Sequence, residues 1–273
     1  MDEVNDLNDL VVASAVLPLG ADRFGWDVPA GWEQGRGAYG GLVLAAMTRA
    51  IESVAFGDED GASRKARALS ASLTAPVATG PSEVQVERLR QGNAVTTWSA
   101  RLTQDGEVKA VVSLVSGRDR PTGHRLVAPP PAAPPWADVP VSLAVKPPLA
   151  PVFTRHFELR ALPPFPFSGS TEPGALAWIR QRAPLRTIGT PELVALSDVC
   201  WPAPFAIERA PRPMATIAYH CSFAWVDLDP SEPLLHRGTV VHGGDGYFTE
   251  IRELWTTRGE LVCHNPQVFC WIK

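Results

Sequence analysis

The sequence has little lysine, no paired cysteines and no long apolar run. Only four of its 25 basic residues are lysine, 29 residues are acidic, and the net charge is −4. A chain that neutralises nucleic-acid phosphates carries a basic excess, so a nucleic-acid partner is not expected. The four cysteines, Cys200, Cys221, Cys263 and Cys270, form no Cys-x-x-Cys pair, and the six histidines show no paired ligand spacing. The thiols therefore read as reduced core residues, and no metal site is expected. The longest apolar stretch, Leu10 to Leu19, is interrupted by Ser14 and Pro18 and is too short to span a bilayer. The opening Met1-Asp2-Glu3 lacks the basic and apolar regions of a secretory signal, so a cytoplasmic protein is the expectation.

What is present is a large apolar fraction in a long chain. At 273 residues and 45% hydrophobic, the sequence can bury a substantial core and has the length of about two domains. Ten prolines fall between Pro121 and Pro151, including Pro129-Pro130-Pro131 and Pro134-Pro135. Proline fixes φ and removes a donor, which excludes a helix interior or a central strand, so this stretch reads as an extended linker. The expected division is an N-terminal unit 1–120, a linker 121–151 and a C-terminal unit 152–273.

The two flanks repeat each other. In the first, Gly40–Phe56 has helical apolar spacing on nearly all faces, as in a buried helix. Strand-like runs follow at about Ala66–Pro76, Glu83–Arg90, Ala94–Thr103 and Val108–Ser116. In the second, a helix over about Pro191–Cys200 precedes runs at Met214–Trp225, Leu234–Val241, Tyr247–Thr257 and Leu261–Ile272. Upstream strand material is expected at Arg23–Val28 and Gly31–Gln34, and again at Val152–Arg160 and Ala175–Arg182. Pro81-Ser82-Glu83 matches Pro230-Ser231-Glu232 at an offset of 149, and Gly106-Glu107 matches Gly259-Glu260 at 153. Two matches at nearly one offset point to duplication. The expected class is α+β: two copies of a long buried helix wrapped by a curved antiparallel sheet, joined edge to edge.

An ordered set of short stretches adds a resemblance. It comprises Tyr39-Gly40-Gly41, Leu89-Arg90-Gln91-Gly92-Asn93, Trp178-Ile179-Arg180, Leu196-Ser197-Asp198, Pro204-Phe205, Ala215-Thr216-Ile217, Leu254-Trp255, Gly259-Glu260-Leu261-Val262 and Gln267. In these the chain resembles the double-hotdog proteins, and among them the acyl-CoA thioesterase II (TesB-like) family of fatty acid metabolism. The resemblance implies hydrolysis of acyl-CoA to free acid and coenzyme A, without a cofactor. It also implies a catalytic trio at Asp198, Thr216 and Gln267. The strand after Thr216 departs from the family pattern, with Ala224-Trp225 where an arginine is more usual.

Two readings of these residues compete. Asp198 ends an apolar helical run, where the helix dipole offers a carboxylate nothing and an exposed polar position is the plain alternative. The repeat supplies a control. Subtracting 150–154 places the counterparts of Asp198, Thr216 and Gln267 near Leu44, Ala66 and Leu114, all apolar. Buried polar groups are costly unless they pair, so three arising in one copy point to function. Asp198 then serves as general base, while Thr216 and Gln267 orient the water.

Substrate contacts are less well marked. Gly40 and Gly41 at a helix start suit a thioester oxygen, or simply a tight entry turn. Arg88, Arg90 and Arg101 suit coenzyme A phosphates, or a solvated strand face. His220 reads as a core or surface residue, and Trp225 and Trp255 as core residues or, in the alternative, walls of an acyl pocket. Gly243-Gly244-Asp245-Gly246 reads as a hairpin loop, because no helix follows it.

The alternatives to hydrolysis are a non-catalytic acyl-CoA-binding protein and a hotdog-fold enoyl-CoA hydratase. The hydratase pattern requires a histidine five residues after the aspartate, and position 203 is alanine. Exposed sheet edges favour a homo-oligomer.

Overall fold

A computed structural model describes residues 10–55, 64–120, 123–124, 126, 128–141 and 150–272. The first half contains α1 (Leu10–Ala13), β1 (Leu17–Pro18), β2 (Arg23–Val28), β3 (Glu33–Gln34), β4 (Gly37–Ala38), α2 (Gly40–Ala55), β5 (Arg64–Leu73), β6 (Gly80–Gln91), β7 (Val95–Gln104) and β8 (Glu107–Arg118). The second contains β9 (Phe157–Leu162), β10 (Ala175–Gln181), α3 (Thr190–Leu196), β11 (Met214–Phe223), β12 (Leu234–Gly244), β13 (Tyr247–Trp255) and β14 (Leu261–Trp271). Twelve strands form one antiparallel sheet in the order β1-β2-β6-β7-β8-β5-β11-β14-β13-β12-β10-β9, and β3 and β4 make a separate ribbon.

The halves join where β5 pairs with β11, with Ser70 opposite His220 and Leu69 opposite Cys221. His220 Nδ1 lies 2.8 Å from Ser70 Oγ across this junction. The duplication is also recorded in the irregularities of the sheet. The β5–β8 ladder slips between Ala66 and Ala68, and the β11–β14 ladder slips between Thr216 and Ala218. The slips at Arg88/Arg90 and Leu102/Thr103 recur at Val240/His242 and Leu254/Trp255. A bulge is a specific feature of a strand pair, so three repeated at offsets of 150–152 are inherited rather than coincidental.

α2 buries almost every face. Leu42, Leu44, Ala45, Ala46, Met47, Ala50 and Ile51 are completely enclosed between α3 and strands β2, β6, β7 and β8. Each large side chain among these contributes about 1.5–3 kcal/mol through burial. No helix among the described residues is long and apolar enough to cross a membrane.

Four expectations change. First, the second helix has seven residues rather than a long span. Beyond it the chain tightens into shorter bonds, Asp198 N to Ala195 O and Val199 N to Leu196 O, and Pro202 and Pro204 prevent further helix. Second, the proline-rich stretch is more than an extended spacer in its described part. Trp136–Asp138 forms a 3-10 turn, and Val139 is buried with Trp178, Leu235 and Trp255 on the sheet face away from α2. The Trp136 ring lies 3.8 Å from the Arg160 guanidinium, and Pro134 O accepts the Trp178 indole N–H at 2.9 Å.

Third, Val152–His156 is a 3-10 turn leading into β9, and the strand material near Gly31 is reduced to the short ribbon β3. Fourth, the glycine-rich hairpin is tighter than its four-residue signal. The strands run to Gly244 and from Tyr247, leaving Asp245 and Gly246 with φ of 53° and 84° in a two-residue turn. Trp255 is fully buried, while Trp225 is part-exposed and donates to Ala66 O at 2.6 Å. All four cysteines are free.

A carboxylate cluster ties α2 to the start of α3. Arg49 pairs with Glu192, whose other oxygen accepts Gly189 N at 2.8 Å. Glu52 lies beside them, and burial raises its pKa from 4.5 to about 7; the Thr190 hydroxyl and Arg49 lower it and Glu192 raises it. A carboxyl group whose pKa is raised on folding contributes stability in full below its unfolded value, and that contribution is lost as pH rises through the folded value. Wild-type protein should therefore lose stability between about pH 4.5 and about pH 7, and Glu52→Gln should lose less. Urea midpoints across that range check this, and parallel curves for the two proteins would contradict it.

Candidate active site

Asp198 sits where three elements converge: the end of α3, the start of α2 and the middle of the β13–β14 pair. The residue is 8% exposed. Its own helix end offers a carboxylate nothing, but the N-terminus of α2 faces it, and Gly41 N donates to Oδ2 at 2.9 Å. Oδ1 accepts Gln267 Nε2 at 3.0 Å and Arg252 Nη1 at 3.1 Å. Thr216 Oγ1 donates to Gln267 Oε1 at 3.2 Å. The structure thus brings together Asp198, Thr216 and Gln267, which lie far apart in sequence.

Gln267 is oriented from β14 itself. The sequence suggests an edge or bulged strand at Asn265-Pro266, yet β14 is interior, between β11 and β13. With Tyr219 opposite Gln267, His220 lies opposite Pro266, which has no N–H to give. Asn265 Nδ2 donates to His220 O instead, at 2.6 Å. Asn265 Oδ1 then accepts Gln267 Nε2 at 2.7 Å. A side chain replaces the missing ladder bond and fixes its neighbour in the same step.

Sequence reasoning misses Arg252, Glu250 and Asn265. Arg252 is 1% exposed and bridges two carboxylates, donating from Nε to Glu250 Oε1 at 3.0 Å and from Nη1 to Asp198. Glu250, wholly buried, accepts Ala203 N on Oε2 at 2.8 Å. The guanidinium carbon lies 4.9 Å from the centre of the Phe269 ring. His236 is fully buried nearby, and among the described residues neither ring nitrogen has a hydrogen-bond partner.

The signal that identifies these residues is the same repeat. Gln267 pairs with Tyr219 and Glu250, just as Leu114 pairs with Leu69 and Trp98. Arg252 pairs with Asn265 as Ala100 pairs with Val112, and His236 with Leu254 as Val84 with Leu102. The first half fills with Val84, Trp98, Ala100, Val112 and Leu114 the positions that the second fills with polar groups.

Burial dominates the electrostatics. It raises the Asp198 carboxyl above its ordinary pKa, while Arg252, Gln267 and the Gly41 amide pull it back in part. Glu250 is likewise raised by burial, with Arg252 the chief counterweight. Burial opposes the Arg252 charge, but Glu250 and Asp198 more than restore it. His236 is pushed well below its usual value by burial and then by Arg252, so it is neutral.

The remaining expected site residues are divided. Gly40 is at the site: a Cβ there would stand 3.1 Å from Asp198 Oδ2 and 3.1 Å from Leu73 Cδ1. The Gly41 amide, expected to face a ligand, is taken by Asp198. Arg88 and Arg90 are exposed on β6, and β7, β8, β5 and β11 stand between them and β14. Arg88 lies 5.8 Å from the Trp98 ring and, with Arg101, borders a shallow surface cavity. Among the described residues no cluster of three or more His, Cys, Asp or Glu is arranged to hold a metal ion.

Residues 28–117 match the acyl-CoA thioesterase N-terminal domain, and residues 126–270 match its C-terminal domain. No curated protein matches in sequence. Among solved structures, a conserved hotdog-fold protein of unknown function from Alicyclobacillus acidocaldarius is 24% identical at a TM-score of 0.85, covering 97% of this chain and 98% of that one. The TesB protein of Mycobacterium avium subspecies paratuberculosis is 17% identical at 0.79, covering 98% and 100%. The acyl-CoA thioesterase II TesB2 of Mycobacterium marinum is 19% identical at 0.75, covering 97% and 98%. These likenesses show the hotdog fold over essentially the whole chain.

Gly41 marks the point of closest packing at the site. A Cβ on it would meet Tyr39 Cε2 at 2.5 Å, Ala195 O at 2.9 Å and Ala195 Cα at 3.0 Å. The last two atoms are α3 backbone and cannot rotate away. Gly41→Ala should separate the helices, costing about 1–3 kcal/mol in chemical unfolding. Unchanged stability would contradict this packing.

Proposed function

The chain belongs to the acyl-CoA thioesterase family, and from that premise we propose that it hydrolyses an acyl-CoA thioester using a water activated by Asp198 and oriented by Thr216 and Gln267. Asp198 takes a proton from the water as its oxygen attacks the thioester carbon. The tetrahedral intermediate then collapses with cleavage of the C–S bond, and the departing thiolate takes the proton back. The Gly40 amide, at the first position of α2, is the donor suited to the developing oxyanion, since Gly41 is engaged by Asp198. On this reading 1–120 and 152–273 are two hotdog units wrapped around α2 and α3, with 121–151 between them and the catalytic trio in the second.

The observation that carries the proposal is the one-sided polar cluster. The same sheet positions are filled twice in one chain, once with apolar side chains and once with two amides, an imidazole and a buried ion pair. Packing does not demand those groups, because the first half packs without them. A non-catalytic binding protein would have no use for a carboxylate kept ionisable at such cost.

The test is thiol release from short, long and aromatic acyl-CoA substrates, with Asp198→Asn beside wild type. Wild type should turn over at least one substrate class, and the variant should lose about 100-fold or more while remaining folded. Equal turnover by the variant, or tight acyl-CoA binding by wild type without release of thiol, would overturn the proposal.

A further inference from the structure

Arg252 and Glu250 are not needed to build the fold. At the matching register positions the first half carries Ala100 and Trp98, and its sheet is continuous through them. Both groups are nonetheless fully buried, and both are fixed from more than one side. Ala203 N holds one Glu250 oxygen, Arg252 Nε holds the other, and the Phe269 ring lies along the guanidinium. A planar guanidinium held this way presents its remaining edge in one direction only, and Nη1 points to Asp198 at 3.1 Å.

The other titratable groups around Asp198 carry no charge near neutral pH. Tyr39, just before α2, and Tyr219, on β11, are raised well above their usual values by burial. Cys200, after α3, is raised to about 12 by burial, and His236, on β12, is neutral. The field at Asp198 is therefore set by one guanidinium shared between two carboxylates. The shared cation cannot fully compensate both, so each carboxylate weakens its hold on the other.

Resting on the hydrolytic reading above, we propose that Glu250 and Arg252 are positioning residues for Asp198: Arg252 aims the carboxylate and favours its charged form, and Glu250 moderates that effect, setting how readily Asp198 takes a proton from water. An aspartate paired with arginine alone would be a weaker base. The competing Glu250 keeps it stronger, and neither residue needs to touch substrate.

Opposite changes in one observable test this. The acid limb of kcat/KM reports deprotonation of the general base. Glu250→Gln, which keeps size and most hydrogen bonds, should move that limb about one pH unit lower; Arg252→Met should move it about one unit higher, and Arg252→Lys should return it most of the way. KM should change little in all three. If the variants lose kcat with the limb unmoved, or if the limb moves in the same direction for Glu250→Gln and Arg252→Met, the proposal is wrong and the pair is merely structural.

A second readout is independent of turnover. The carboxyl carbon resonance of Asp198, assigned by its absence from Asp198→Asn, should titrate lower in Glu250→Gln than in wild type. That comparison survives if Arg252→Met fails to fold. An unchanged midpoint would overturn the proposal. The shifted resonance in an enzyme that releases no thiol would support it while overturning hydrolysis.

Discussion

The buried carboxylate of Asp198 is the constraint on which the rest of the site depends. To carry its charge at 8% exposure, this carboxylate needs fixed donors, because water cannot supply them. Three reach it from three elements: the Gly41 amide at the start of α2, the Gln267 amide on β14 and the Arg252 guanidinium on β13. Each donor needs its own support. Gly41 must lack a side chain so that α2 can approach Ala195, Gln267 is held by Asn265, and Arg252 is held by Glu250. Behind these stand Pro266, which frees the His220 carbonyl for Asn265, and the Ala203 amide, which anchors Glu250. The site is a chain of satisfied polar groups leading away from one oxygen pair.

Duplication explains how such a cluster is tolerated. The two halves share their strand order and three bulges, including one at Thr216 and Ala218 that is matched at Ala66 and Ala68. The first half uses its positions for apolar packing around a 16-residue helix. The second has a seven-residue helix and fills the equivalent sheet positions with charge and amide. Joined through β5 and β11, both halves contribute to a single site, since the helix that receives Asp198 belongs to the other half. The apolar half is therefore part of the machinery, because its α2 amide completes the shell around Asp198.

Much of this was legible in the sequence wherever it was written as a repeat. The order of elements along the chain, the first helix and the convergence of Asp198, Thr216 and Gln267 follow from periodicity, offset and resemblance; that β5 pairs with β8 and β11 rather than β6 does not. Arg252 and Glu250 are not legible in the sequence, because alternation in a strand does not say which charged residue turns inward, and only register sets them against Ala100 and Trp98. Pro266 misled because a missing donor normally marks an edge. An asparagine side chain supplying the bond instead is a tertiary fact. In the proline-rich stretch, composition is silent on Trp136 docking between arginines and Val139 entering a second apolar cluster. Charge alone marks Arg88 and Arg90, and four strands stand between β6, which carries them, and β14, which carries Gln267.

The proposed hydrolysis requires Asp198 to be buried yet ionised, ready to take a proton from water. The most direct measurement is the infrared difference spectrum between wild type and Asp198→Asn at neutral pH, with carboxyl bands identified by isotope labelling of aspartate. The account predicts that the band lost in the variant is a carboxylate stretch. Loss of a protonated carboxylic acid band at that pH would contradict it, because a protonated Asp198 cannot act as the base.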